Sequence, residues 1–259
     1  MSLVYKIQRA IHNYHQLYIK HEIPVAIFCT GRVGSMALFS TLEDAGIFSF
    51  KIEELYNATK RRNYGSGEWF YQNVLKAKRK AKIISIARDP IALMISDFFN
   101  KLHWIAEQKR AWEALSLEEL IALFNTRYFE QKRHLSHLNW FDNEFKRSLG
   151  VDVFDYPSPS TNGFEHFTTE LYDILLLRTE TEDNIKSKAV GDFVNRPNLK
   201  IQRSNVGDQK IFGEVYQDFK KALIVAPQHL DTVYQSQYAR HFYSIDELAR
   251  MREKWSTAQ

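Results

Sequence analysis

The sequence predicts an α/β fold, a parallel sheet with helical crossovers followed by a helix-rich C-terminal half. Two observations carry this. Short apolar runs bounded by turn residues, Val25-Ala26-Ile27-Phe28-Cys29 and Ile83-Ile84-Ser85-Ile86-Ala87, read as strands buried on both faces. The stretches between them have helical spacing, so strand and helix alternate, and that alternation favours right-handed parallel crossovers.

The first twenty residues place Leu3, Ile7, Ile11, Tyr14, Leu17 and Tyr18 at helical spacing among Arg9, His12, His15 and Lys20. This predicts an amphipathic helix packed on the domain, and it is also compatible with peripheral membrane contact. The first strand follows Pro24. Gly31-Arg32-Val33-Gly34 ends it, and Ser35 to Ala45 reads as a helix stopped by Gly46. A second strand is expected over Ile47 to Ile52, a helix over Trp69 to Lys80 and a third strand over Lys82 to Ala87. Pro90 then opens a helix running to about Trp104. Ser116-Leu117-Glu118-Glu119 is a capping box. One helix is expected from about Thr126 to Leu149, stopped by Gly150. Residues 155–165, rich in Pro, Ser and Gly, read as a surface loop or small hairpin. Leu171 to Arg178 returns as a strand, and the remainder reads as helical, ending with Ser244 to Trp255. Nothing marks a linker, so a single domain over residues 1–259 is expected.

Composition narrows the function. A net charge of +4 from 35 basic and 31 acidic residues is too mild for a nucleic-acid binder and suits a site for a small multiply charged anion. The densest basic stretch, Lys76, Lys78, Arg79, Lys80 and Lys82, reads as a solvated face. A lone cysteine, Cys29, excludes an intrachain disulfide and reads as a buried strand residue. No run approaches 18 apolar residues and no signal-peptide core opens the chain, so no transmembrane segment and a cytoplasmic location are expected. His134 and His137 form a single i,i+3 pair without a third ligand in pattern, so no metal is expected.

Two motifs carry the chemistry. Thr30-Gly31-Arg32-Val33-Gly34-Ser35-Met36 lies between a strand and a helix, where free backbone N–H groups and the helix dipole attract a phosphate. It lacks the lysine of a Walker A loop, which disfavours a nucleoside-triphosphate kinase, and Arg32 supplies the cation instead. Arg88-Asp89-Pro90 follows the third strand, with Ser96 eight residues after Arg88. In a parallel sheet both motifs reach the same edge, so Arg88 and Ser96 can meet a second anionic group.

With these residues the chain resembles the sulfotransferases that use 3′-phosphoadenosine 5′-phosphosulfate (PAPS). The Gly-Arg-x-Gly-Ser loop is similar to their 5′-phosphosulfate loop, and Arg88 with Ser96 to their 3′-phosphate motif. The resemblance implies a three-layer P-loop-like fold, PAPS as donor and an acceptor hydroxyl. Further stretches, Asn139 to Lys146, Leu177-Arg178-Thr179-Glu180, Asn205 to Lys210 and His241-Phe242-Tyr243-Ser244, resemble a microbial branch of capsular polysaccharide synthesis proteins, which implies a carbohydrate acceptor. Arg32, where many members of the family carry Lys, would then serve the leaving side. Glu53, beyond the second strand, is the first candidate for the base, with His103 as the second. Asp142 and Glu144 are candidates for holding a sugar. A non-Walker kinase and a catalytically inactive nucleotide-binding module remain alternatives.

Overall fold

Strands that are apolar on both faces must lie between two covering layers. The computed structural model describes residues 3–56, 66–102, 112–159, 161–202 and 213–257. Its strands are β1 (Val25–Phe28), β2 (Ser49–Ile52), β3 (Ala81–Ala87), β4 (Phe164–Thr168) and β5 (Tyr172–Arg178). They form one sheet in the order β2-β1-β3-β5-β4, parallel except for β4, which runs antiparallel to β5 at the edge.

The helices that matter below are α1 (Leu3–Tyr14), α2 (Ser35–Asp44), α3 (Ser66–Phe70), α4 (Pro90–Asn100), α5 (Leu117–Asn125), α6 (His134–Leu138), α7 (Asp183–Phe193), α8 (Gly213–Ala222), α9 (Pro227–Tyr234), α10 (Gln237–Phe242) and α11 (Ile245–Ser256). Alternate strand residues feed two cores, as the period of two requires. Ala26, Phe28, Phe50, Ile83, Ile174 and Leu176 point to one face, where α4 and the C-terminal helices pack. Ile27, Cys29, Ile84, Ile86, Leu175 and Leu177 point to the other, covered by α2 and α7 through Leu38, Leu42, Val190 and Phe193.

Three expectations are corrected. The predicted single helix over 126–149 is broken, because Lys132 adopts left-handed backbone (φ 55°) and ends the first part. A π-helical turn closes that part with Gln131 N–H bonded to the Thr126 carbonyl. The chain then restarts as α6, and Gly150 (φ 70°) ends the region as expected. The stretch expected as a loop or hairpin has no strand before Phe164 among its described residues, and its last two residues open β4, which pairs antiparallel with β5 and whose half-exposed residues lack the apolar alternation of a covered strand. The helix expected from Trp69 begins at Ser66 and ends in a π-helical turn over Tyr71–Leu75. In the N-terminal helix, Leu17 is buried, but Ile7, Ile11 and Tyr14 face away from the domain. Trp104 and Asn205 to Lys210 lie outside the described residues.

Candidate functional site

The four parallel strands all end at one edge, and the chemistry-bearing residues follow those ends. β1 leads into the glycine loop, β2 into Glu53, β3 into Arg88 and Asp89, and β5 into Thr179 and Glu180. The loop is anchored by Val33, which inserts into the core beneath α2. Seating it there forces left-handed backbone on Arg32 (φ 70°) and on Gly34 (φ 83°). For a non-glycine residue that conformation costs roughly 1–2 kcal/mol. Gly31 has a different task. A Cβ built there would lie 3.1 Å from Oε2 of Glu53, so a side chain would crowd the carboxylate. Helix α2 begins at Ser35 with no side-chain cap and no acidic residue in its first turn, which leaves the amides of Ser35 and Met36 for an anion. Thr30 and Ser35 are buried, and Met36 is exposed.

Burial raises the Cys29 thiol to about 12, against the weaker opposing effects of a hydrogen bond with Ser35 and of the Lys51 charge. The thiol is therefore neutral, as a packed strand residue should be.

Glu53 is exposed at the end of β2 and pairs with Lys51, Nζ to Oε1 at 2.5 Å. Its backbone carbonyl accepts the Trp140 indole N–H at 3.1 Å, which fixes the turn after β2 against the helical layer. Arg88 comes from the neighbouring side: its guanidinium donates to the Arg32 carbonyl at 2.6 Å, so the two motifs meet. Tyr238 grips the Arg88 backbone at both N–H and carbonyl, each at 2.9 Å. Ala92, Ser96 and Asn100, four residues apart, are the only positions of α4 that are not buried, and they form a strip leading away from Arg88. Ser96 thus lies on the accessible face of α4. His103 lies outside the described residues.

Asp89 is structural. Its Oδ1 caps α4 through the Ile91 N–H and accepts the Tyr234 hydroxyl, while Oδ2 accepts the Trp255 indole N–H. A carboxylate committed to three donors is poorly disposed to hold Mg²⁺, which weakens the kinase alternative. Glu144 is likewise committed: buried, it accepts the amides of Leu55 and Tyr56 at 3.0 Å each, so it shapes the chain after Glu53 and is not free for a sugar. Asp142, two residues earlier, is half-buried. Among the described residues no three His, Cys, Asp or Glu side chains gather as a metal site.

One residue escaped the sequence reading of roles. Glu180 follows β5 as Arg88 follows β3, and it accepts the Asp89 N–H at 2.8 Å and the Tyr243 hydroxyl at 3.0 Å. Burial of the carboxyl group, then the nearby Asp89 charge, raise its pKa against the opposing hydrogen bond from the Asp89 amide, although the residue keeps a solvent-exposed side. The signal was its position, a charged residue just past a buried strand at the same edge. Thr179 beside it binds both the Val33 and Ala87 carbonyls at 3.1 Å, tying β5 to the loop and to β3.

The model of the NKWYS family, described as "Putative capsular polysaccharide synthesis protein", matches residues 115–244. No curated protein and no solved structure matches the chain.

Proposed function

The chain belongs to the NKWYS family of capsular polysaccharide synthesis proteins, and from that premise we propose that it transfers the sulfuryl group of PAPS to a hydroxyl on a carbohydrate or polysaccharide precursor. The observation that carries the reading is the Arg88 guanidinium bonded to the Arg32 carbonyl. A glycine loop at an uncapped helix and an arginine from the next strand stand at one edge, as a ligand with two separated anionic ends requires. The residues present fit such a donor: Gly31 leaves room where a Cβ would crowd Glu53, and the strip from Arg88 to Ser96 is accessible.

The donor supplies an activated sulfuryl group, so the protein's work is positioning and charge stabilisation. The amides of Ser35 and Met36 hold the 5′-phosphate, and Arg32 stabilises the negative charge on the leaving oxygen as the sulfur–oxygen bond to that phosphate breaks. Arg32 clamps but is a poor proton donor, so the leaving group departs as an anion. Glu53 takes the proton of the acceptor hydroxyl as its oxygen bonds to sulfur, and Lys51 holds the carboxylate beside the loop. Arg88 and Ser96 hold the 3′-phosphate. Incubation with radiolabelled PAPS and panels of carbohydrate, lipid and phenolic acceptors tests this. Label should appear on a carbohydrate hydroxyl, and transfer to none of the panels would overturn the reading.

A further inference from the structure

Helix α1 lies on the domain with its polarity reversed. Arg9 bonds Glu43 at 2.6 Å and the Ser49 carbonyl at 3.2 Å, and Asn13 and Gln16 are buried against the domain with Leu17. Oδ1 of Asn13 and Oε1 of Gln16 are buried without a hydrogen-bond partner. The apolar residues point outward: Ile7, Ile11 and Tyr14 are 51%, 65% and 57% exposed and share one face, with Ile19 (61%) and Ile23 (51%) following. Half of the described large hydrophobics that are exposed fall in this one segment, so this is a surface built to be covered.

Charge indicates what covers it. No Asp or Glu occurs before Glu22, whereas Lys6, Arg9 and Lys20 and three histidines do. The basic stretch after α3 adjoins the same face, since the Tyr14 ring stacks on Tyr18 at 4.6 Å and the Arg79 guanidinium lies over Tyr18 at 4.7 Å. Lys76, Lys78 and Lys80 around it are exposed. Pairing with a second copy through the same face would set these cations against each other. An anionic lipid surface meets both the apolar stripe and its basic flank.

We propose that the outer face of α1, with the basic stretch at residues 76–80 beside it, docks the protein on an anionic membrane surface. Among the described residues no helix is long and apolar enough to cross a membrane, so the contact is peripheral. Arg9 binds the start of β2 and His12 packs on Phe48 just before it, which places α1 at the amino ends of the strands. The loop and Arg88 lie at the carboxyl ends, so a docked protein keeps its candidate site clear.

Co-sedimentation of the full chain with phosphatidylcholine vesicles, with and without phosphatidylglycerol, tests this. The protein should pellet with the phosphatidylglycerol vesicles and be released by salt. The Ile7→Ser/Ile11→Ser/Tyr14→Ser variant should stay folded with a melting temperature close to wild type, because these side chains are more than half exposed and only the Tyr14–Tyr18 stack is lost, and lose affinity roughly tenfold or more. Lys78→Glu/Lys80→Glu should weaken binding to the anionic vesicles alone. Binding that is absent, equal on neutral vesicles or unchanged in the triple variant overturns the proposal. So does a wild-type dimer, seen by sedimentation velocity, that the triple variant dissolves.

Discussion

Arg88 is held from two sides, its backbone by Tyr238 and its guanidinium by the Arg32 carbonyl. A side chain so fixed has little rotamer freedom left to lose on meeting a phosphate, so its full charge-assisted contact should appear as affinity. Arg88→Ala should weaken binding of 3′-phosphoadenosine 5′-phosphate by about 2–3 kcal/mol in calorimetry, and Ser96→Ala by about 1 kcal/mol. A nucleotide without the 3′-phosphate should bind both variants much as it binds wild type. If both ligands weaken alike, the two residues support the fold and nothing more. Glu53 calls for a different readout, because it would touch the acceptor proton and not the donor. Glu53→Gln should cut turnover by roughly 10²–10⁴-fold with donor affinity nearly unchanged. A comparable loss of donor affinity would make Glu53 a loop-positioning residue, and unchanged turnover would remove it from the chemistry.

At the scale of elements, α4 carries a built-in acid sensitivity. Burial would raise the Asp97 pKa, but hydrogen bonds and charge from His137 and Lys101 outweigh it and hold the carboxyl well below its usual range. Asp97 also accepts the Tyr128 hydroxyl at 2.8 Å, joining α4 to the π-helical turn after α5. A depressed folded pKa means stability that is present above the unfolded carboxylate pKa and lost as pH falls towards the folded one. In urea unfolding, wild type should therefore exceed Asp97→Asn at pH 7, and the gap should narrow in acid below about pH 4. A gap independent of pH would show that the loss comes from packing. The central strands and their order along the chain were legible in the sequence, because β1, β3 and β5 are apolar runs bounded by turn residues. Strand β4 was not, since an edge strand with half-exposed residues has no hydrophobic period. The break at Lys132 was hidden too, because no glycine or proline marks it. At the site, the loop, Arg88 and Glu53 could be found from motif and strand-end position. The commitments of Asp89, Glu144 and Glu180 could not, since, apart from the local cap of Asp89 on Ile91, their partners lie 63–166 residues away and are joined only by folding.

For the whole molecule, one sheet edge gathers residues from four strands, and the C-terminal helices brace that edge from behind. Tyr234, Tyr238, Tyr243 and Trp255 all reach residues at the strand ends. Arg178 adds a further brace by bonding both carboxylate oxygens of Glu247 at 2.8 Å and the Phe242 carbonyl at 3.2 Å. A ligand seated there should therefore stabilise the fold as a unit, by mass action on the native state. The central claim is that this edge holds two separate anionic groups of one nucleotide. The melting temperature with 3′-phosphoadenosine 5′-phosphate, set against that with AMP at the same concentration, tests it most directly. A rise far larger with the 3′-phosphorylated nucleotide is the expected result, and equal rises with the two would contradict the claim.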